Sequence, residues 1–151
     1  MYGTSFAPVH CDDGLKAVTY FSSFQTAIDA ASGGETILAL AGTFTERFTV
    51  DKALTIESDG DMTDTFIDGN AGGTVVTITS DNVIFDGFTV QNSGAGNVAG
   101  IVVTQAEYCD IMNNFVKNNP VGIAVVEDAN YNVVNANTLP VSYTHLTLPT
   151  N

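Results

Sequence analysis

Three segments of the chain align without gaps: 82-NVIFDGFTV-90, 108-YCDIMNNFV-116 and 131-YNVVNANTL-139, spaced by 26 and 23 residues. The register matches Val83 with Cys109 and Asn132, Phe85 with Ile111 and Val134, Phe88 with Asn114 and Asn137, and Val90 with Val116 and Leu139. These four positions are expected to point inward. A second motif recurs beside them, Val76 and Ile78, Ile101 and Val103, Ile123 and Val125, with the period-2 alternation of strands that bury one face. Gly100 and Gly122 open two of these strands, and 92-NSGAGNVAG-100 reads as a loop insertion.

A repeat of about 23 residues made of short strands with Asn and Gly corners is what a parallel β-solenoid requires, because each coil stacks on the last and equivalent side chains form ladders. Helical repeats are excluded by composition: 13 Asn, 14 Gly and 19 Thr disfavour helix, and eight of the Asn lie between Asn113 and Asn137. Asn114 and Asn137 are expected to form an internal amide ladder at a bend. Upstream, 22-SSFQTAIDAAS-32 carries Ser22 and Gln25 at capping-box spacing and places Phe24, Ala27, Ile28 and Ala31 on one face. Gly33 and Gly34 follow it. This predicts an all-β fold with an N-terminal capping α-helix over about 22–31, shielding the open edges of the first coil. Strands are predicted at 36-TILAL-40, 47-RFTV-50 and 53-ALTI-56, and the clearest coils over 73–139.

The run 24-FQTAIDAASGGETILALAGTFTERFTVDKALTI-56, followed by 66-FIDGN-70, 85-FDGFTVQNSG-94 and 100-GIVV-103, resembles right-handed parallel β-helix proteins of the pectin-lyase-like superfamily. It is most similar to the carbohydrate-binding and sugar-hydrolase β-helix group that includes NosD-type proteins. The resemblance spans roughly residues 22–139. It implies an exported protein, periplasmic, cell-surface or extracellular, that handles polysaccharide; it does not imply catalysis. Pectin methylesterases share the opening, and that resemblance would require catalytic Gln, Asp and Arg residues. The corresponding stretches 98-VAGIVV-103 and 118-NNPVGIAVV-126 contain none of them. A non-catalytic carbohydrate-binding or scaffold module is therefore the expectation. The alternative is a truncated polysaccharide lyase or glycoside hydrolase whose site lies partly in missing coils.

Composition narrows the chemistry further. With 17 acidic and 4 basic residues the formal charge is -13, and phosphate neutralisation would need clustered basic groups, so no nucleic acid partner is expected. No run of 18 apolar residues exists, and insertion into a membrane is not expected. His10 and His145 are isolated, as are Cys11 and Cys109, which leaves no His-based metal site, Cys–His nucleophile or Ser-His-Asp triad. Copper, suggested by the NosD resemblance, finds no ligand cluster, since Met62 and Met112 also stand alone. No cofactor is expected, with one qualified candidate. Asp59, Asp61, Asp64 and Asp68 in 59-DGDMTDTFIDG-69 offer oxygen ligands suited to calcium, but their spacing fails the EF-hand pattern and Phe66-Ile67 interrupts it, so a solvated turn competes. Asp86 and Asp110, outward on adjacent coils and two columns apart, are a formal glycosidase pair or simply solvated acids.

Sugar binding has one clearer candidate. Tyr108 and Tyr131 occupy equivalent positions, so their rings should stack about 4.8 Å apart along the axis. Phe115, outward in the same coil, adds apolar surface, and Asn130, Glu107 and Asn113 supply polar groups able to orient sugar hydroxyls. The competing reading is that the tyrosines brace a turn. The string 141-VSYTHLTLPTN-151 breaks the repeat and resembles a translated sequencing adapter, so the expected domain is 1–140, part of a longer β-helix, with 141–151 a foreign tail. An uncovered last coil would favour end-to-end self-association.

Overall fold

The computed structural model describes residues 9–12, 19–140 and 146–147. Two strands, β1 (Val9–Asp12) and β2 (Thr19–Phe21), precede helix α1 (Phe24–Ala30). Then come β3 (Thr36–Ala39), β4 (Gly42–Thr45) and β5 (Phe48–Val50), followed by β6 (Thr55–Ser58), β7 (Thr65–Asp68) and β8 (Val76–Ile78). The next coils contain β9 (Ile84–Asp86), β10 (Thr89–Gln91), β11 (Ala99–Thr104), β12 (Asp110–Met112), β13 (Phe115–Lys117) and β14 (Val121–Val126). The last strands are β15 (Val133–Asn135) and β16 (Leu146–Thr147).

Every third strand stacks on its predecessor. The first sheet runs β3-β6-β9-β12-β15, the second β4-β7-β10-β13 and the third β5-β8-β11-β14-β16, all pairs parallel. The chain is a right-handed parallel β-helix of about four coils; the repeat predicted the parallel solenoid and the resemblance its right-handed form. The register is the expected one: Ile111 lies between Phe85 and Val134, and Val103 between Ile78 and Val125. Val83, Phe85, Phe88, Val90, Cys109, Ile111, Asn114 and Val116 are all buried. In the last coil Asn132, Val134, Asn137 and Leu139 are only partly covered. β1, β2, β4, β7 and β16 lie outside the segments predicted as strands. β4 sits where only a Gly42 break was expected, since its Gly-Thr-Phe-Thr run has a single buried side chain, Phe44, and shows no period.

The cap also differs in detail from expectation. α1 is shorter than 22–31, and its N-cap is Ser23, whose Oγ accepts the Thr26 N–H at 3.2 Å. Gln25, expected to close a capping box with Ser22, instead reaches the first coil. Its Oε1 accepts the Thr49 N–H at 3.0 Å and its Nε2 donates to the Thr49 carbonyl at 3.4 Å, so one amide satisfies the open edge of β5. The first coil returns the favour at both helix ends. The Glu46 carboxylate accepts the N–H groups of Phe24 (2.8 Å) and Gln25 (3.3 Å). Lys52 Nζ donates to the carbonyls of Ile28, Asp29 and Ala31 at 2.8, 2.9 and 2.8 Å. A negative group at the N-terminus and a positive one at the C-terminus complement the helix dipole and fill orphan backbone groups. Over β3 the cap is a hairpin, with β1 pairing antiparallel to β3 and β2 to β1.

Below the cap, Phe24 stacks on Phe48 and meets Phe44 edge-on, each at 4.7 Å between ring centroids, and Phe85 stacks on Phe88 at 4.7 Å. From β12 downward the core holds no ring and is built of Ile111, Val116, Ile123, Val125 and asparagine. Close coil contact explains Gly100: a Cβ there would lie 2.7 Å from both Asn119 Nδ2 and Val116 Cγ1. Among residues 141–151 only Leu146 and Thr147 are described, paired with Ile123 and Ala124; the rest of the suspected tail lies outside the described residues.

Candidate functional site

The corners of the lower coils follow one rule. A residue with positive φ is followed by an inward residue whose backbone is gripped by an asparagine of the next coil. Asn119 takes the Ser93 N–H on its Oδ1 (2.9 Å) and donates from Nδ2 to the Val90 carbonyl (3.1 Å). Asn114 does the same for Phe88 and Phe85 (3.0 and 3.2 Å), Asn137 for Asn114 and Ile111 (2.9 and 2.7 Å), and Asn132 for Cys109 and Ala106 (2.8 and 2.9 Å). Each side chain thus spans an N–H and a carbonyl three residues apart, giving the bend N–H an acceptor and the carbonyl a side-chain donor. The predicted Asn114–Asn137 ladder is present, with an additional Nδ2 to Oδ1 bond of 3.0 Å. Asn119 and Asn132 belong to the same system; the repeat placed Asn132 inward in the column of Val83 and Cys109 but did not give it this role, and it gave no role to Asn119.

Tyr108 lies inside one of these clamped bends. Asn82, Tyr108 and Tyr131 form a column with φ of 59°, 57° and 57°. Asparagine enters the left-handed region readily, whereas a bulky side chain there is strained by an amount on the order of 1 kcal/mol. The two tyrosines hold that conformation with rings 5.2 Å apart and 7° from parallel, close to the expected spacing. They are also 56% and 72% exposed. An exposed, rigidly mounted aromatic stack on a strained corner is a feature that core packing does not require.

Polar groups flank the rings. Asn130, adjacent to Tyr131, donates from Nδ2 to Glu107 Oε1 at 3.5 Å and to the Asp128 carbonyl at 3.1 Å. The Glu107 N–H donates to the Asp81 carboxylate at 2.8 Å. Phe115 is outward but lies on β13 in the second sheet, under the Lys117 ammonium at 5.4 Å, whereas the tyrosines stand at the corner entering the first sheet. Asn113 donates to Asp86 at 2.8 Å, and Asp86 and Asp110 remain two register positions apart.

The acidic stretch is dispersed. Asp61 folds back on the N–H and hydroxyl of Thr63, which holds its carboxyl below the usual range. Asp68, on β7, accepts from the Asn70 N–H (2.8 Å), Gln91 (2.9 Å) and Asn92 (2.7 Å). Among the described residues, no three His, Cys, Asp or Glu side chains come together where a metal ion could sit. Cys109 is buried, donates its thiol to the Ser80 carbonyl at 3.3 Å, and has its pKa pushed up by burial.

A family model described as periplasmic copper-binding protein (NosD) matches residues 24–144. A cell surface glycoprotein of Methanothermus fervidus is 29% identical over 106 residues, which is 69% of this chain but only 17% of that protein. Among solved structures, a pectin methylesterase from Yersinia enterocolitica superposes with a TM-score of 0.62 at 13% identity, over 83% of this chain and 52% of its own. A pectin methylesterase mutant in complex with a hexasaccharide superposes with a TM-score of 0.56 at 16% identity, over 72% and 44%. At such identities the likeness is one of fold. Copper favours grouped His, Cys and Met donors. Here His10 is on β1, Cys109 is buried at a lower corner, Met62 precedes β7 and Met112 lies on β12, so the described residues do not fit that metal.

Proposed function

The chain belongs to the NosD family, and from that premise we propose that it is an exported β-helix module, periplasmic or on the cell surface, that binds carbohydrate without transforming it. The observation that carries this reading is the exposed Tyr108–Tyr131 stack. A ring face with nearby amide and carboxylate groups is the mixed apolar and polar surface a sugar needs: the ring packs against C–H groups, and Asn130 and Glu107 orient hydroxyls. Clamping by Asn132 fixes the corner before the ligand arrives, which lowers the entropy lost on binding. Each ring already gives one face to the other, so the more exposed Tyr131 offers the larger contact.

The test is a panel of glycans titrated against the intact protein and its Tyr108→Ala/Tyr131→Ala variant. At least a tenfold loss of affinity is expected in the double variant, equivalent to about 1.4 kcal/mol, with Tyr131→Ala the more damaging single change. Absence of any glycan binding by the intact protein would leave only a scaffold role. Release of reducing or unsaturated sugar ends, lost in Asp86→Asn, would replace the binding reading with an enzymatic one.

A further inference from the structure

The surroundings of the tyrosine stack carry charge of one sign. Resting on the platform reading above, we infer that this corner selects glycans bearing free amino groups and disfavours uronate-containing ones. Asp81 and Glu107 form the column beside the rings, linked through the Glu107 N–H. Asp110 points outward on β12, between Ile84 and Val133 in register. Asp128 is exposed at the bend leading to Tyr131, next to Glu127, whose carboxylate accepts the Thr104 hydroxyl at 3.1 Å; both residues have positive φ (59° and 48°).

No described cation answers them at this corner. Arg47 donates to the Gly69 carbonyl beside β7, Lys52 is bound to the end of α1, and Lys117 lies over Phe115 on the second sheet. An ammonium approaching the rings gains attraction to their faces and to the acidic groups of this corner, whereas a uronate meets only like charge. A neutral sugar is indifferent to that field. The three classes of ligand are therefore separated by charge while sharing the same ring-stacking surface.

Calorimetric titration with three oligosaccharides of equal length tests this: a chitosan oligomer with free amines, its N-acetylated chitin counterpart, and an oligogalacturonate. The pH is set below the amine pKa, at low and at high salt. Chitosan is expected to bind at least tenfold tighter than chitin and oligogalacturonate weakest, with the spread narrowing in high salt. Asp110→Asn/Asp128→Asn should shrink the chitosan-to-chitin ratio, and Tyr108→Ala/Tyr131→Ala should remove chitosan binding. Equal affinity for chitosan and chitin, or tighter binding of oligogalacturonate, overturns the inference while leaving the platform standing. Chitosan binding that survives loss of both tyrosines also overturns it, because the attraction then belongs to the net charge of the chain. Failure of all three oligomers to bind removes the platform and the inference together.

Discussion

The upper and lower halves of this solenoid meet the same requirement with different materials. Any coil must fill its interior and pair the backbone groups at its bends. Above β12 rings sit among the aliphatic side chains of the interior, with Phe24, Phe44 and Phe48 packed together, and charged or amide side chains from helix and coil cross-link the cap through Glu46, Lys52 and Gln25. From β12 downward the rings give way to aliphatic ladders, and Asn114, Asn119, Asn132 and Asn137 hold the bends. A cap is built once, so its contacts are individual. A coil is repeated, so one residue type at one spacing serves every bend it reaches.

The largest effect is expected in the upper half. Phe24→Ala removes a fully buried ring that touches Phe44, Phe48 and Phe88, at a cost of about 4 kcal/mol. Urea unfolding should register the loss, and hydrogen exchange should show whether α1 opens alone. Next comes Asn114→Leu, which keeps volume but leaves the buried Phe88 N–H without its partner and takes the side-chain donor from the Phe85 carbonyl, whose place in the β9–β12 ladder remains. About 2 kcal/mol is expected, from one buried group left unpaired. A cost below about 1 kcal/mol would break the comparison, since the aliphatic ladder would then hold the lower coils unaided.

A change of opposite sign sharpens the same point. Asn119 clamps the Ser93 backbone, yet the Ser93 hydroxyl is buried without a hydrogen-bond partner. The amide satisfies the bend and does nothing for the side chain. Ser93→Ala should therefore stabilise the protein by up to about 1 kcal/mol, read as a higher melting temperature. Destabilisation would mean that the hydroxyl, not the backbone clamp, is the group this corner depends on.

The two halves also differed in how readily the sequence disclosed them. The lower coils were legible because ladder positions repeat residue by residue: Phe85, Ile111 and Val134 announce a register that the strand pairing reproduces. The tyrosine stack followed from that register alone. Upstream, loops of unequal length before β7 and β8 destroy the spacing, and β4 buries only Phe44, so no alternation marks it. Gln25 was read as a local helix cap because sequence arguments favour near neighbours, yet its partner is Thr49, across the gap to the first coil. The acidic stretch shows the converse. Asp61 and Asp68 are close in sequence, but one turns back on Thr63 while the other lies on a strand with Gln91 and Asn92 as partners.

The smallest expected effect concerns pH, and it follows from the chemistry of the two sets of clamps. Amides do not titrate, whereas carboxylates do. Burial raises the pKa of Glu46 above its ordinary 4.5, outweighing the N–H bonds from Phe24 and Gln25. Its contribution to stability is therefore complete below 4.5 and declines as pH rises through the raised value. Asp68 behaves in the opposite sense: burial alone would raise its pKa, but bonds from Gln91, the Asn70 N–H and Asn92 outweigh it and lower the value below 3.8. That contribution is present above 3.8 and is lost as pH falls through the lowered value. Glu46→Gln should flatten the stability curve just above 4.5, and Asp68→Asn should flatten it below 3.8. Hydrogen exchange, corrected for intrinsic rates, should place the pH response in α1, β5 and β7 and leave β12 to β14 unchanged. A response of equal size in the asparagine-clamped strands would show that the lower bends depend on ionised groups after all, and the division between the halves would fall.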